Sequence, residues 1–172
     1  MMDEGRQANV LVAYHSQSGH TRQAAEEVAA QLGADLERIV PARAKPRSVF
    51  LGGFMALTGR REALATPKRD LSPYDLVVVG SPVWAAHTTP ALRTYLDRHR
   101  GEIPAAAAFV TCAAKDAESA LDEIARLLDQ SLEATTAITD GDRREGRDAA
   151  KLHRFVDQIE AALAARMAPS AA

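Results

Sequence analysis

The sequence predicts an α/β fold of three layers, a five-stranded parallel sheet with helices on both faces. Two patterns point there. Short apolar runs alternate regularly with longer amphipathic segments, the mark of repeated strand–helix–strand units. Alanine is abundant while aromatic residues make up only 5%, a composition that suits helices packed closely through small side chains.

The first strand is expected over Asn9 to Tyr14, and a helix follows from His20 to Leu32, closed by Gly33. A second strand spans Asp35 to Val40. The segment 41–74 is the least regular crossover: a helix over Arg47 to Thr58 is interrupted by Gly52-Gly53. Its apolar residues suit packing on the sheet, an active-site cover or a dimer surface, and Arg60, Arg61, Lys68 and Arg69 offer charge for an acidic partner. The third strand runs from Leu76 to Gly80, followed by a Pro-led helix from Pro90 to Arg100 that ends at Gly101. The fourth covers Ala106 to Thr111, its helix Asp116 to Gln130, and the fifth Leu132 to Ile138. A last helix, about Arg144 to Met167, places Leu152, Phe155, Val156, Ile159 and Leu163 on one stripe.

The 172 residues fit one domain over 1–172, with a core of about 9–165 and a frayed tail at 168–172. With 21 basic and 23 acidic residues, net charge −2, the chain carries no broad electrostatic footprint for nucleic acid or membrane. No run approaches the roughly 18 apolar residues of a membrane span, and no secretory leader is evident, so the expected location is cytoplasmic. One cysteine, Cys112, excludes an internal disulfide, and five scattered histidines give no metal-ligand spacing.

The chemistry sits in the loops. After the first strand, Ser16, Gln17, Ser18, Gly19, His20 and Thr21 lead straight into a helix. Short side chains let backbone N–H groups approach a dianion, and the helix N-terminus adds its positive end. The spacing is neither that of a P-loop nor of a dinucleotide fingerprint. After the third strand come Ser81, Pro82, Val83, Trp84, Ala85, Ala86 and His87, with the chain's only tryptophan. Pro82 stiffens this turn, Trp84 offers a face for stacking, and His87 is a candidate to hydrogen-bond a ligand or move a proton. Thr88 or Thr89 is placed to cap the next helix.

Ser16, Ser18, Gly19 and Thr21 match the phosphate loop of the flavodoxins, and the Gly80-Ser81-Pro82-Val83-Trp84 turn resembles the loop with which short flavodoxin-like proteins hold the isoalloxazine ring. The resemblance covers Asn9 to about Leu163. It implies strand order 2-1-3-4-5 and FMN as cofactor, with its crevice at the carboxyl ends of the first and third strands. It also implies that Thr111, Cys112 and Ala113 border the pyrimidine side of the flavin.

The chain departs from the pattern in three ways. The third loop lacks the aromatic residue of familiar flavodoxins, which lowers the expected affinity. Lys115 beside the pyrimidine edge would favour an anionic reduced flavin. Ala85-Ala86 stand where one-electron members often use glycine for a peptide flip, and positive φ costs alanine about 1 kcal/mol or more.

Two function classes follow from the resemblance: an electron carrier for a redox partner protein, or an oxidoreductase that takes electrons from NAD(P)H and reduces a small acceptor such as a quinone. The flavodoxin-like protoporphyrinogen dehydrogenases share the second logic. A flavodoxin-fold binding module that has lost FMN is the third alternative. A receiver-type module would need an acidic cluster and a phosphoacceptor Asp at the strand ends, where this chain has Tyr14-His15-Ser16 and Gly80-Ser81.

Overall fold

The computed structural model describes residues 7–42, 58–113 and 116–168. Five strands, β1 (Val10–Tyr14), β2 (Asp35–Arg38), β3 (Leu76–Pro82), β4 (Ala106–Cys112) and β5 (Leu132–Thr139), form one parallel sheet in the order β2-β1-β3-β4-β5. This is the flavodoxin-like order, and its reversal of winding lies between β1 and β3.

β1, β3 and β4 are buried along nearly their whole length because helices cover both faces. On one face α1 (His20–Leu32) and the C-terminal helix pack over Val10, Val12, Val78 and Phe109. On the other, α2 (Pro90–Arg98) and α3 (Ala117–Leu128) cover Leu11, Val77, Val79, Ala106 and Val110. The two sets alternate along each strand, as side chains on a pleated strand must.

The helix ends follow local chemistry. Gly33, at φ 61°, closes α1 with its N–H on the Ala29 carbonyl. Thr89, not Thr88, caps α2: its hydroxyl accepts the Leu92 N–H at 3.3 Å, with Pro90 at the first turn. α3 is shorter than its apolar pattern suggests because Asp116 and Asp129 both turn left-handed, at φ 70° and 56°. A short helix α4 (Asp140–Arg144), not expected from the sequence, precedes the final helix α5 (Asp148–Met167), which starts a few residues later than expected, after Gly146 at φ 66°. A Thr139–Asp142 capping box starts α4.

β2 ends at Arg38, two residues before the end expected from the sequence, and its continuation pairs backwards. Ala65 N–H bonds the Val40 carbonyl and Ala42 N–H the Ala63 carbonyl. The returning segment covers part of the exposed edge. The expected helix over 47–58 falls almost wholly outside the described residues, as do Lys115 and the tail at 169–172. Arg61, Lys68 and Arg69 form ion pairs with Asp97, Glu102 and Glu37, so they are engaged within the fold rather than gathered into a free basic patch. No helix among the described residues is long and apolar enough to cross a membrane.

Candidate functional site

Three loops meet at the carboxyl ends of β1, β3 and β4. In the first, Ser16 is buried and its hydroxyl accepts the Gly19 N–H at 3.2 Å, folding the loop back on itself. Gln17, Ser18 and His20 are exposed. Gly19 takes φ 98°, which only glycine adopts without strain, and an added Cβ would meet nothing within 4 Å. No side chain caps α1 and no acidic residue lies in its first turn, so the positive end of the helix is left for an anion. Thr21 is buried, and its hydroxyl pairs with that of Thr111 at 2.8 Å.

The second loop is a hairpin. Trp84 and His87 exchange both backbone hydrogen bonds, at 2.8 and 3.0 Å, around Ala85 and Ala86 at φ 48° and 66°. This is the geometry of a type I′ turn, which ordinarily demands Asn or Gly. The left-handed conformation that the sequence argues against for alanine is therefore already adopted, and at both positions. Ser81 is fully buried and donates its hydroxyl to the Pro82 carbonyl at 2.9 Å. Val83 N–H bonds the Thr111 carbonyl at 2.9 Å, tying the second loop to the third. Trp84 stands edge-on to His15, with centroids 6.0 Å apart and planes at 82°.

In the third loop Thr111 and Cys112 are buried while Ala113 is exposed. Burial pushes the Cys112 thiol above its ordinary pKa, so it is a small apolar residue rather than a reactive thiolate. A cleft of about 690 Å³ is lined by His20 of the first loop, Ala113 of the third, and Asp140, Arg143 and Arg144 of α4.

Two groups that the sequence gave no reason to single out belong to this end of the sheet. His15, 6% exposed, is held neutral because desolvation, helped by Arg38, lowers its pKa to about 4. Glu123 of α3 is buried, with one oxygen on Arg93 and the other facing the second loop. Its neighbours are 30 and 35 residues away in sequence, so no local spacing signals them.

The pattern of unmet hydrogen bonds suits a polar cofactor. Among the described residues, four buried side-chain polar atoms make no hydrogen bond; His15 Nδ1, Arg93 Nη1 and His87 Nδ1, the last 3.4 Å from Glu123 Oε2, are three of them. All three belong to the carboxyl end of the sheet, where buried polar groups left unpaired would otherwise cost about 1–3 kcal/mol each. With the open glycine at position 19 and the uncapped α1, the residues present fit a phosphate-bearing, hydrogen-bonding ligand.

Residues 8–139 match the family model described as NADPH-dependent FMN reductase. The chain belongs to that family. FMN is the family's cofactor, and the flavodoxin-like resemblance read from the loops is shown. Solved structures place the fold of this FMN reductase family member among flavoproteins. A Lactobacillus acidophilus NCFM flavoprotein, solved in complex with FMN, is 21% identical with a TM-score of 0.69, covering 80% of this chain and 97% of its own. A protein from Bacteroides eggerthii DSM 20697 is 22% identical, TM-score 0.69, covering 86% and 98%. Flavodoxin 1 from Bacillus cereus is 16% identical, TM-score 0.55, covering 89% and 97%. No curated protein matches the sequence.

Proposed function

We propose that this FMN reductase family member binds FMN across the three loops and uses it to pass electrons from NAD(P)H to a small acceptor such as a quinone. The observation that carries the reading is an uncapped α1 N-terminus at the same end of the sheet as buried polar atoms without hydrogen bonds on His15, after β1, and on His87 and Arg93, after β3. Bound there, FMN supplies the hydride chemistry and the protein controls position, access and protons.

The chain's own residues have separate tasks. The backbone N–H groups of Ser16 to Thr21, with the Ser16, Ser18 and Thr21 hydroxyls, hold the phosphate. Ser81, Pro82, Val83, Trp84 and Ala85 form one wall for the ring, with half-buried Trp84 as its stacking residue. Thr111, Cys112 and Ala113 form the other wall, and Cys112 contributes shape rather than redox chemistry. His87 is positioned at the rim, with 29% of its side chain open to solvent, to move a proton.

The carrier reading, electrons handed to a redox partner protein, draws less support. The cations proposed to attract such a partner include Arg61, Lys68 and Arg69, and those three are engaged in intramolecular pairs. An absorbance spectrum after FMN addition and removal of free ligand tests the cofactor, and anaerobic NADPH or NADH added to the same sample tests the donor. Retained flavin that bleaches rapidly supports a reductase. Retained flavin that does not bleach favours a carrier, and loss of flavin favours a binding module without cofactor.

A further inference from the structure

Glu123 lies on α3, outside the three loops, yet both of its carboxylate oxygens are bonded beside the second of them. Its Oε1 accepts Arg93 Nε at 2.7 Å and lies 2.6 Å from Arg93 Nη2. Its Oε2 accepts the Thr88 N–H at 2.8 Å and the Thr88 hydroxyl at 3.2 Å. These partners outweigh desolvation and hold the carboxyl below its ordinary pKa, so Glu123 is ionised. Arg93 is 3% exposed and Glu123 9% at the side chain, so the pair is fixed within the fold.

A buried pair of this kind contributes little net stability, since desolvation offsets most of the attraction. What it does secure is position. The same Oε2 stands 3.4 Å from His87 Nδ1, which is buried and makes no hydrogen bond. The side chain as a whole stays 29% open to solvent. A histidine with one nitrogen against a fixed anion and part of its side chain open to solvent is the arrangement of an oriented proton donor.

We propose that Glu123, anchored by Arg93, is a positioning residue that holds a proton on His87 Nδ1 and makes His87 Nε2 the nitrogen that protonates the reduced acceptor. This rests on the FMN reductase reading above and assigns its acid. A quinone needs two electrons and two protons to become a quinol. Bound flavin reduced by NAD(P)H would supply a hydride, two electrons and one proton, which leaves one proton for the protein to deliver. The doubly protonated His87 ring gives its Nε2 proton to the quinone oxygen and is left as the neutral ring protonated at Nδ1; water at the rim then returns a proton to Nε2. Closing the 3.4 Å contact to hydrogen-bond length on substrate entry follows the usual tightening of such contacts in the loaded state.

The test pairs two acceptors on the same flavin-loaded samples. Ferricyanide takes single electrons and needs no proton, whereas a water-soluble benzoquinone needs one from the protein. Removing a proton donor costs about 100-fold or more, so His87→Gln should lower the benzoquinone-to-ferricyanide turnover ratio by about that factor. Partners that fix a histidine's orientation are worth about 10- to 100-fold, so Glu123→Gln should lower the benzoquinone-to-ferricyanide ratio by that amount. The double variant should match His87→Gln, since Glu123 acts through His87. The ratio cancels any loss of folded protein in Glu123→Gln.

A second readout needs no flavin. Two-bond ¹H–¹⁵N correlations of the apo protein should show neutral His87 protonated at Nδ1, shifting toward Nε2 in Glu123→Gln. An unchanged tautomer, or equal losses with both acceptors, overturns the assignment. Failure to retain FMN would sink the functional reading, and proton delivery with it. An unchanged tautomer in a protein that does retain FMN sinks only the role of Glu123.

Discussion

The hydroxyls of Thr21 and Thr111 are bonded to each other at 2.8 Å, joining the first turn of α1 to the end of β4 across 90 residues of sequence. Both residues are candidate ligand contacts, and both are buried. Within a pair of hydroxyls one donates and the other keeps a free proton, so the pair can still offer one donor outward. Thr21→Val leaves the Thr111 hydroxyl buried without its partner, and should cost about 1–3 kcal/mol of stability. Thr21→Val with Thr111→Val removes both ends and should recover most of that loss. Urea unfolding of the two variants checks the stability. Flavin titration of the double variant checks the ligand role: weaker FMN binding with restored stability separates the two functions of the pair.

Gly80 illustrates a different constraint. A Cβ placed there would lie 2.2 Å from Phe109 Cζ, and Phe109 is wholly buried against Phe155 with ring centroids 6.3 Å apart. The ring has no room to retreat. Overpacking of this kind costs about 1–3 kcal/mol, so Gly80→Ala should lower the denaturant midpoint by a corresponding amount. Phe109→Leu in the same chain should restore part of it, because the shorter side chain vacates the volume. No recovery in the double variant would place the cost in the backbone instead.

These residues show what a sequence displays and what it withholds. Helix α1 is legible to its last residue, because Gly19 and Gly33 bracket an unbroken amphipathic run. The apolar strand runs follow from local periodicity, whereas their order in the sheet is implied by the flavodoxin resemblance. Gly146 stands in plain sight between α4 and α5, yet the expected final helix begins before it, at about Arg144. The Thr139–Asp142 capping box that starts α4 was also local and readable. The Glu123–Arg93–Thr88 network was not. Its members lie on α3, α2 and the second loop, and only the packing of two helices on the same face of the sheet brings them together. His15 was hidden for a similar reason, since its neutrality comes from burial and from Arg38 on the neighbouring strand.

Acid should unfold the protein in two separable stages. His15 is neutral in the fold with a pKa of about 4, below its ordinary 6.5, so between those values the unfolded chain binds more protons. Stability is therefore complete above pH 6.5 and falls as pH drops toward about 4, by up to about 3 kcal/mol. Asp142 acts lower. Its carboxylate is held well below its ordinary 3.8, first by Lys151 at 2.7 Å and then by the Thr139 N–H at 2.9 Å. Its contribution is present above pH 3.8 and disappears as pH falls further. His15→Asn should flatten the upper stage alone, and Asp142→Asn the lower stage alone. Chemical denaturation at a series of pH values separates them, and a variant that flattens both stages would contradict the assignment.

Ala85 and Ala86 occupy the two central positions of a turn that selects for asparagine and glycine, at φ 48° and 66°. Left-handed backbone costs an ordinary L-residue about 1–2 kcal/mol. The Trp84–His87 hydrogen bonds, and the hold of Glu123 on Thr88 beside them, keep the turn in place against that cost. Ala85→Asn with Ala86→Gly supplies the residues the geometry prefers without removing any of those bonds. We expect the double variant to gain about 1 kcal/mol in denaturant unfolding with an unchanged slope. Because the hairpin keeps its shape, FMN affinity should stay within about twofold, for a preorganised wall gains nothing further from relief of strain. Lower stability would mean that the alanine methyls pack in a way that outweighs the turn. Weaker flavin binding at higher stability would show that the strained turn is itself tuned to the ring it faces, as strain stored beside a functional site can be.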